Sequence, residues 1–313
     1  MSEREIAVCV HGLTKSYGRT QVLKGVDFEI NEGSVFCLLG SNGAGKTTII
    51  HILATLLKPD GGEASICGYD IVREAKEVRR HFSLTGQYAA VDELLTAREN
   101  LIMIGRLFHI PCPKQKADGL LARFRLTADA NKKVSAYSGG MRRRLDIAMS
   151  LTSNPEIIFL DEPTTGLDPQ NRLELWRIIR ELAHSGVTIF LTTQYLEEAE
   201  RLADTIAILD GGRIVKLGTP DELKSLNAGS NLIFYFATSG DLSSAKQCLD
   251  GYSCVADENT LALSVGTDGD VAVVTEIIGR LSGVDVAQME QKRASLEDIF
   301  LQVVGNQEGR SDE

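Results

Sequence analysis

Gly40-Ser41-Asn42-Gly43-Ala44-Gly45-Lys46-Thr47-Thr48 follows the apolar run Val35–Leu39 and leads into a second apolar segment, residues 49–57. Gly40, Gly45, Lys46 and Thr47 satisfy the spacing G-x-x-x-x-G-K-[ST] of a P-loop, and Gly43 adds another point where the backbone turns inward. A buried strand delivers the loop. The helix expected to start near Lys46 contributes unpaired N–H groups and the positive end of its dipole, so the amides from Gly40 to Thr48 form a cradle for an anion. Lys46 supplies charge for β- and γ-phosphates, and the Thr47 hydroxyl suits the Mg²⁺ that accompanies a nucleoside triphosphate. The motif specifies a phosphate ligand and leaves the reaction open.

Composition narrows the reaction. The chain has 313 residues and a net charge of −10, distributed unevenly. Residues 230–313 hold 14 Asp/Glu against 5 Lys/Arg, whereas residues 1–229 are close to neutral. This argues against bulk nucleic-acid binding, which needs a basic face. The start MSEREIAVCV lacks the basic and long apolar regions of a secretory signal, and no apolar run reaches the ~18 residues of a membrane span. The six cysteines stand singly, without C-x-x-C, and the five histidines show no metal-ligand spacing, so both read as ordinary packing or surface residues in a reducing compartment.

Around the P-loop, residues 6–10 and 26–30 read as strands joined by a turn-like segment, 13–20, in which Tyr17 is a candidate platform for a nucleotide base. Residues 81–87 read as a strand ending at Gln87. A mainly helical insertion follows over about 88–150, with a helix at 94–107 that Pro111 and Pro113 stop. Ser138-Gly139-Gly140 opens the next helix with Ser138 as its N-cap, and the run Arg142-Arg143-Arg144 reads as its solvated face.

Residues 157–160 form an apolar strand that delivers Asp161 and Glu162 to the edge where a parallel sheet gathers its catalytic groups. Asp161 suits Mg²⁺ and Glu162 suits proton removal from an attacking water. A further buried strand, 187–193, ends at Gln194 on the same edge, and residues 205–209 and 213–217 form a hairpin about Asp210-Gly211-Gly212. After a polar link at 227–230 the pattern is βαββαβ with a last helix at 294–304. This suggests a small α+β ferredoxin-like module over 227–313, appended to an α/β domain over 1–226.

Taken together, these signals resemble the ATP-binding subunit of an ABC transporter over residues 5–225. Tyr137-Ser138-Gly139-Gly140-Met141 matches the signature, Gln87 the Q-loop glutamine, Gly166-Leu167-Asp168 the D-loop, and Tyr17 the adenine-stacking aromatic. Two positions depart from the general pattern: the signature is not Leu-Ser-Gly-Gly-Gln, and Gln194 stands where histidine is usual. The spellings YSGGMRRRLD, DEPTTGLDP, TTQYLEEAE and SLEDIFL are similar to the daunorubicin/doxorubicin-resistance type, which also carries glutamine there.

The resemblance implies a P-loop NTPase core with a helical subdomain, and ATP hydrolysis with Lys46, Glu162 and Gln194 as catalytic residues. It implies Mg²⁺ held by Thr47, Gln87 and Asp161. It also implies a homodimer in which Ser138, Gly139, Gly140 and Asp168 serve a site shared with the second chain. The expected partner is a separate transmembrane permease, reached from the cytoplasmic face of the membrane, with no role for nucleic acid. The alternatives are a non-transport ATPase of the same family and a catalytically weakened binding switch.

Overall fold

The computed structural model describes residues 5–226, 230–267, 270–292 and 295–300. The chain divides into two compact units between Pro220 and Asp221.

The first unit opens with β1 (Ile6–Tyr17) and β2 (Thr20–Asn31), one long antiparallel hairpin. The segment expected to turn over residues 13–20 is mostly strand, and only Gly18 and Arg19 turn. Gly18 has φ +59°, which suits the first central position of a two-residue hairpin loop. The strand is hard to read in sequence because the register shifts between Val10 and Leu13. The shift interrupts the two-residue alternation on which strand recognition depends. β3 (Val35–Leu39) then leads through the glycine-rich loop to α1 (Lys46–Leu53). β4 (Gly61–Ile66), β5 (Tyr69–Asp70), α2 (Ala75–His81) and β6 (Phe82–Thr85) follow.

The helical segment holds α3 (Ala97–Leu107), α4 (Pro113–Arg123) and α5 (Gly139–Ser150). α3 begins later than the expected Leu94 because Thr96 closes a capping box with Glu99, each side chain meeting the other residue's backbone N–H. Pro113 does not end a helix. It occupies the first turn of α4, where its missing N–H has no intrahelical partner to lose. The chain then returns to β7 (Ile157–Asp161), α6 (Pro169–His184), β8 (Thr188–Thr193), α7 (Leu196–Leu202), β9 (Thr205–Asp210) and β10 (Arg213–Gly218).

Two sheets result. The larger has the order β10-β9-β3-β8-β7-β6, parallel throughout except for the β9–β10 hairpin. Every residue of β3, β7 and β8 is buried, as a parallel sheet covered on both faces requires. The smaller sheet, β2-β1-β4-β5, is antiparallel. The rings of Phe28 in β2, Phe36 in β3 and Phe190 in β8 join the layers, with centroids 4.9 and 5.4 Å apart along the chain of contacts. β3, β8 and β7 lie side by side in register, so the residues that follow Leu39, Asp161 and Thr193 emerge together at one sheet edge.

α8 (Pro220–Leu226) straddles the division, upstream of the link read at 227–230. The second unit contains β11 (Ser230–Phe236), α9 (Ser239–Cys248), β12 (Cys254–Asp257), β13 (Ala262–Thr267), α10 (Val271–Arg280) and β14 (Val286–Lys292). Its sheet has the order β12-β13-β11-β14, antiparallel at each pairing, around a core that includes Leu232, Phe234, Leu263 and Ile277. Residues 296–300 are helical, Ser295 before them is not, and residues 294 and 301–304 of the helix expected over 294–304 lie outside the described residues. Among the described residues, no helix is long and apolar enough to cross a membrane.

Replacing Thr96 by Ala removes the reciprocal cap of α3. We expect a loss of about 1 kcal/mol, read from denaturant unfolding, with the native circular dichroism retained.

Candidate active site

The shared sheet edge holds a cavity of about 440 Å³ lined by Gly43, Lys46, Thr47, Gln87, Asp161, Glu162 and Gln194 together with Val22, Asn42, Gly45, Thr48 and Thr165. Its floor is the start of α1. Gly45, at the N-cap, has φ +112°, and a β-carbon there would press on Leu23, so glycine is required on two counts. At Gly40 a β-carbon would strike the Leu209 carbonyl of β9. The Lys46 ammonium is almost wholly buried. It donates to the carbonyls of Gly40 at 2.9 Å and Ser41 at 3.0 Å, and lies 3.4 Å from Glu162 Oε1. A buried cation needs such partners.

Asp161 ends β7 with both carboxylate oxygens engaged. Thr192 Oγ1 of β8 donates to Oδ1 at 2.6 Å, and Thr47 Oγ1 of α1 reaches Oδ2 at 3.1 Å. Glu162 follows in the left-handed region, φ +46°, uncommon for a residue with a side chain. Its N–H donates to the carbonyl and hydroxyl of Thr192, at 3.2 and 3.1 Å, and these bonds hold the turn. Thr165 Oγ1 donates to Glu162 Oε2 at 3.3 Å. The turn therefore aims a carboxylate into the cavity beside Lys46.

The remaining sequence-predicted residues lie elsewhere. Tyr17, at the end of β1, is 51% exposed and does not line the cavity. Ser41 and Ala44 complete the loop without lining it. Ser138 caps α5, accepting from Met141 N at 3.3 Å, and Gly139 and Gly140 form the first turn, again outside the cavity. A β-carbon at Gly140 would collide with the Asn171 side chain. Asn171 is itself held by Asp168, the N-cap of α6, through a 2.9 Å backbone bond and a 2.6 Å side-chain bond. One chain thus contains a phosphate cradle and, apart from it, a second glycine-rich helix start.

The arginine run is not a solvated face. Arg143 is 6% exposed. Its guanidinium donates to the carbonyls of Gly86, Asp161 and Pro163, at 2.6, 3.1 and 3.0 Å, and meets Asp146 Oδ2 at 3.3 Å. Arg142 donates to the Tyr137 carbonyl and to Glu93, while Arg144 reaches the Phe124 carbonyl. Burial pulls the Arg143 pKa down and pushes Asp146 up, and the mutual attraction of the pair opposes both shifts. Three consecutive arginines carry no mark that the middle one points inward, and the carbonyls it satisfies come from distant segments. Thr192 and Val22 were also not singled out in sequence, since a threonine ending a strand and a valine in a hairpin are ordinary there.

Further along the chain from Gln194, Glu198 of α7 is fully buried and accepts from Trp176 Nε1 at 3.0 Å. Burial raises its pKa above the ordinary 4.5, and the hydrogen bond from Trp176 opposes that rise.

The arrangement has the parts of an NTP-hydrolysing site: an anion cradle, a cation, a hydroxyl–carboxylate pair suited to a hard metal ion, and a second carboxylate aimed into the cavity beside the cation. The family model described as ABC transporter matches residues 23–165. Daunorubicin resistance ATP-binding protein DrrA3 of Streptomyces coeruleorubidus is 42% identical across 96% of this chain and 97% of its own. The chain belongs to the ABC transporter ATP-binding subunits. Doxorubicin resistance ATP-binding protein DrrA of Mycobacterium tuberculosis is 39% identical over 96% of this chain and 94% of its own. Nod factor export ATP-binding protein I of Ralstonia nicotianae is 36% identical over 95% and 94%. Among solved structures, the ATP-binding subunit of an ABC transporter superposes with a TM-score of 0.63 at 30% identity, over 70% of this chain and 92% of that one. A dimeric ATP-binding cassette in a post-hydrolysis state with ADP and Pi gives 0.61 at 28% identity, over 68% and 98%. The cassette is thus an ABC ATPase, in agreement with the resemblance read from its motifs.

Two outcomes test the surroundings of the site. Arg143→Met strands three carbonyls and the buried Asp146, so we expect about 3–5 kcal/mol lost in urea unfolding. Glu198→Gln tests the buried acid. With its pKa raised on folding, Glu198 costs nothing below about pH 4.5, where both folded and unfolded forms are protonated, and its cost grows as pH rises above that. Unfolding midpoints of wild type and Glu198→Gln are expected to coincide near pH 4 and to diverge toward pH 8, with the variant the more stable.

Proposed function

We propose that this chain is the ATP-hydrolysing subunit of an exporter for drugs or other hydrophobic compounds, working with a separate membrane permease. The observation that carries the reading is the convergence of Lys46, Thr47, Asp161, Glu162 and Gln194 on one cavity of a chain similar over nearly its whole length to drug-resistance ATP-binding proteins. Neither the non-transport ATPase nor the inert switch has a comparable observation in its favour.

In this reading the loop amides and Lys46 bind the phosphates, with Lys46 exchanging the Gly40 and Ser41 carbonyls for phosphate oxygens. Glu162 takes a proton from the attacking water, and Gln194 donates a hydrogen bond to the γ-phosphate. Tyr17, exposed at the hairpin end, is available to stack on the base. The Thr47 hydroxyl, the Asp161 carboxylate and the Gln87 amide are oxygen donors of the kind Mg²⁺ takes. Thr47 and Asp161 already lie within 3.1 Å of each other, and all three line the cavity. When bound there, the ion supplies positive charge beside the β- and γ-phosphates.

Ser138, Gly139 and Gly140 lie outside their own chain's cavity, which supports a two-fold dimer in which each signature covers the other chain's γ-phosphate, with Asp168 beside it. The permease contact is proposed at a mainly apolar groove of about 410 Å³, lined among others by Leu84, Ala90, Ile104, Phe108 and Met149. It adjoins the segment holding Gln87 and the 87%-exposed Tyr88. That assembly places the chain peripherally on the cytoplasmic face of the membrane.

The test is ATP turnover and solution mass of purified variants, followed by daunorubicin uptake into inverted vesicles carrying the permease complex. Glu162→Gln is expected to bind ATP, dimerise and lose turnover, while Lys46→Ala loses nucleotide binding. Gln194→Ala is expected to lower kcat by ~10- to 1000-fold. Turnover by Glu162→Gln at the wild-type rate removes Glu162 as base, and vesicles that hydrolyse ATP without concentrating the drug remove drug export.

A further inference from the structure

Away from the nucleotide cavity, three donors from separate segments meet at the opposite end of the parallel sheet. Cys67 lies in the turn between β4 and β5, His81 closes α2, and Glu156 immediately precedes β7. Their donor atoms all lie within 4.8 Å of one another. Cys67 Sγ is 3.3 Å from Glu156 Oε2, and His81 Nδ1 is 3.0 Å from Glu156 Oε1. Because β7 runs from Ile157 to Asp161, Glu156 and the nucleotide cavity lie at opposite ends of the same strand.

We propose that Cys67, His81 and Glu156 form a zinc-binding site that clamps the antiparallel layer to the far edge of the parallel sheet. Thiolate, imidazole and carboxylate are a donor set zinc accepts, with bonds of about 2.0–2.3 Å. A tetrahedral ion with such bonds spaces its ligand atoms roughly 3.3–3.6 Å apart. Each contact to Glu156 is near that spacing, one to each carboxylate oxygen, and the three donor atoms lie within 4.8 Å of one another, so an ion draws them together by rotation of the Glu156 carboxylate and a closing of the thiol and imidazole. Three protein ligands leave the fourth position to water.

Two further observations point the same way. Cys67 and Gly68 are the two residues between the paired Ile66 and Tyr69, and both have positive φ, +49° and +81°. A hairpin turn of that kind favours Asn, Asp or Gly at its first central position. Cysteine there is conformationally costly and has only its thiol to recommend it. The His81 ring, in turn, is fixed by stacking on Tyr69 at a centroid distance of 5.1 Å, which orients Nδ1 toward the cluster.

Cys9, His11 and Glu29 form a second trio, but one drawn from a single hairpin and more exposed to solvent. It serves as the control. Zinc is titrated by calorimetry into the full chain, stripped with chelator and free of nucleotide, with cobalt as a parallel probe for a thiolate charge-transfer band. Wild type is expected to bind one equivalent and to show the band. Cys67→Asn and His81→Ala are expected to weaken zinc by more than the ~10- to 100-fold that outer-shell changes cost, while Cys9→Ser leaves it intact. Asn suits the turn, so Cys67→Asn is expected to fold, with a metal-free Tm at or above that of wild type; wild type and Cys9→Ser gain Tm on adding zinc, and Cys67→Asn does not. The proposal is overturned if wild type takes up no zinc, which would leave a hydrogen-bonded clasp only. It is equally overturned if uptake survives Cys67→Asn or disappears with Cys9→Ser.

Discussion

The Asp161 carboxylate is the junction on which the catalytic edge depends. It accepts from Thr192 on one side and from Thr47 on the other, and so ties β7 to β8 and to the first turn of α1. The same Thr192 holds the backbone of Glu162, so the residue that orients Asp161 also fixes the turn that delivers the next carboxylate. These bonds are only possible because β3, β8 and β7 run parallel and in register. A one-residue slip would reverse the faces of the displaced strand and separate the hydroxyl from the carboxylate.

A second tie runs through the backbone of the same residue. The Asp161 carbonyl accepts from Arg143, which also takes the carbonyls of Gly86 and Pro163. Arg143 lies one turn inside the helix that Ser138 caps, and Gly86 precedes Gln87. One buried guanidinium therefore connects the glycine-rich helix start, the glutamine segment and the carboxylate strand. Arginine suits the task because its planar fork serves several acceptors at once and keeps its charge when buried. The ion pair with Asp146 offsets part of the desolvation cost, and Ala90 N donates to the other Asp146 oxygen.

The two sheets meet through aromatic packing and, at the end away from the nucleotide cavity, through the Cys67–His81–Glu156 cluster. A clamp there strengthens the attachment of the hairpin layer without touching the phosphate cradle. The second unit is built on different terms: a small antiparallel sheet covered by α9 and α10 around its own apolar core. Its element order is the one on which the ferredoxin-like reading of the sequence rests.

Residues whose work is local were legible in the sequence. The glycines of the P-loop, Lys46 and Thr47, Asp161 and Glu162 after an apolar strand, and Ser138 at a helix start each depend on neighbours a few positions away, and their spacing records that dependence. Buried strands, too, declare themselves as short apolar runs. The start of α3 was legible in principle, since Thr96 and Glu99 have capping-box spacing, but the apolar pattern starting at Leu94 concealed it. Other features depended on the tertiary structure. Arg143 is indistinguishable from Arg142 and Arg144 until the carbonyls of Gly86, Asp161 and Pro163 converge on it, and Cys67, His81 and Glu156 carry no common spacing because three separate elements bring them together. Spacing along a chain encodes contacts made within a turn or a strand, whereas contacts between distant segments exist only once burial has packed those segments against one another.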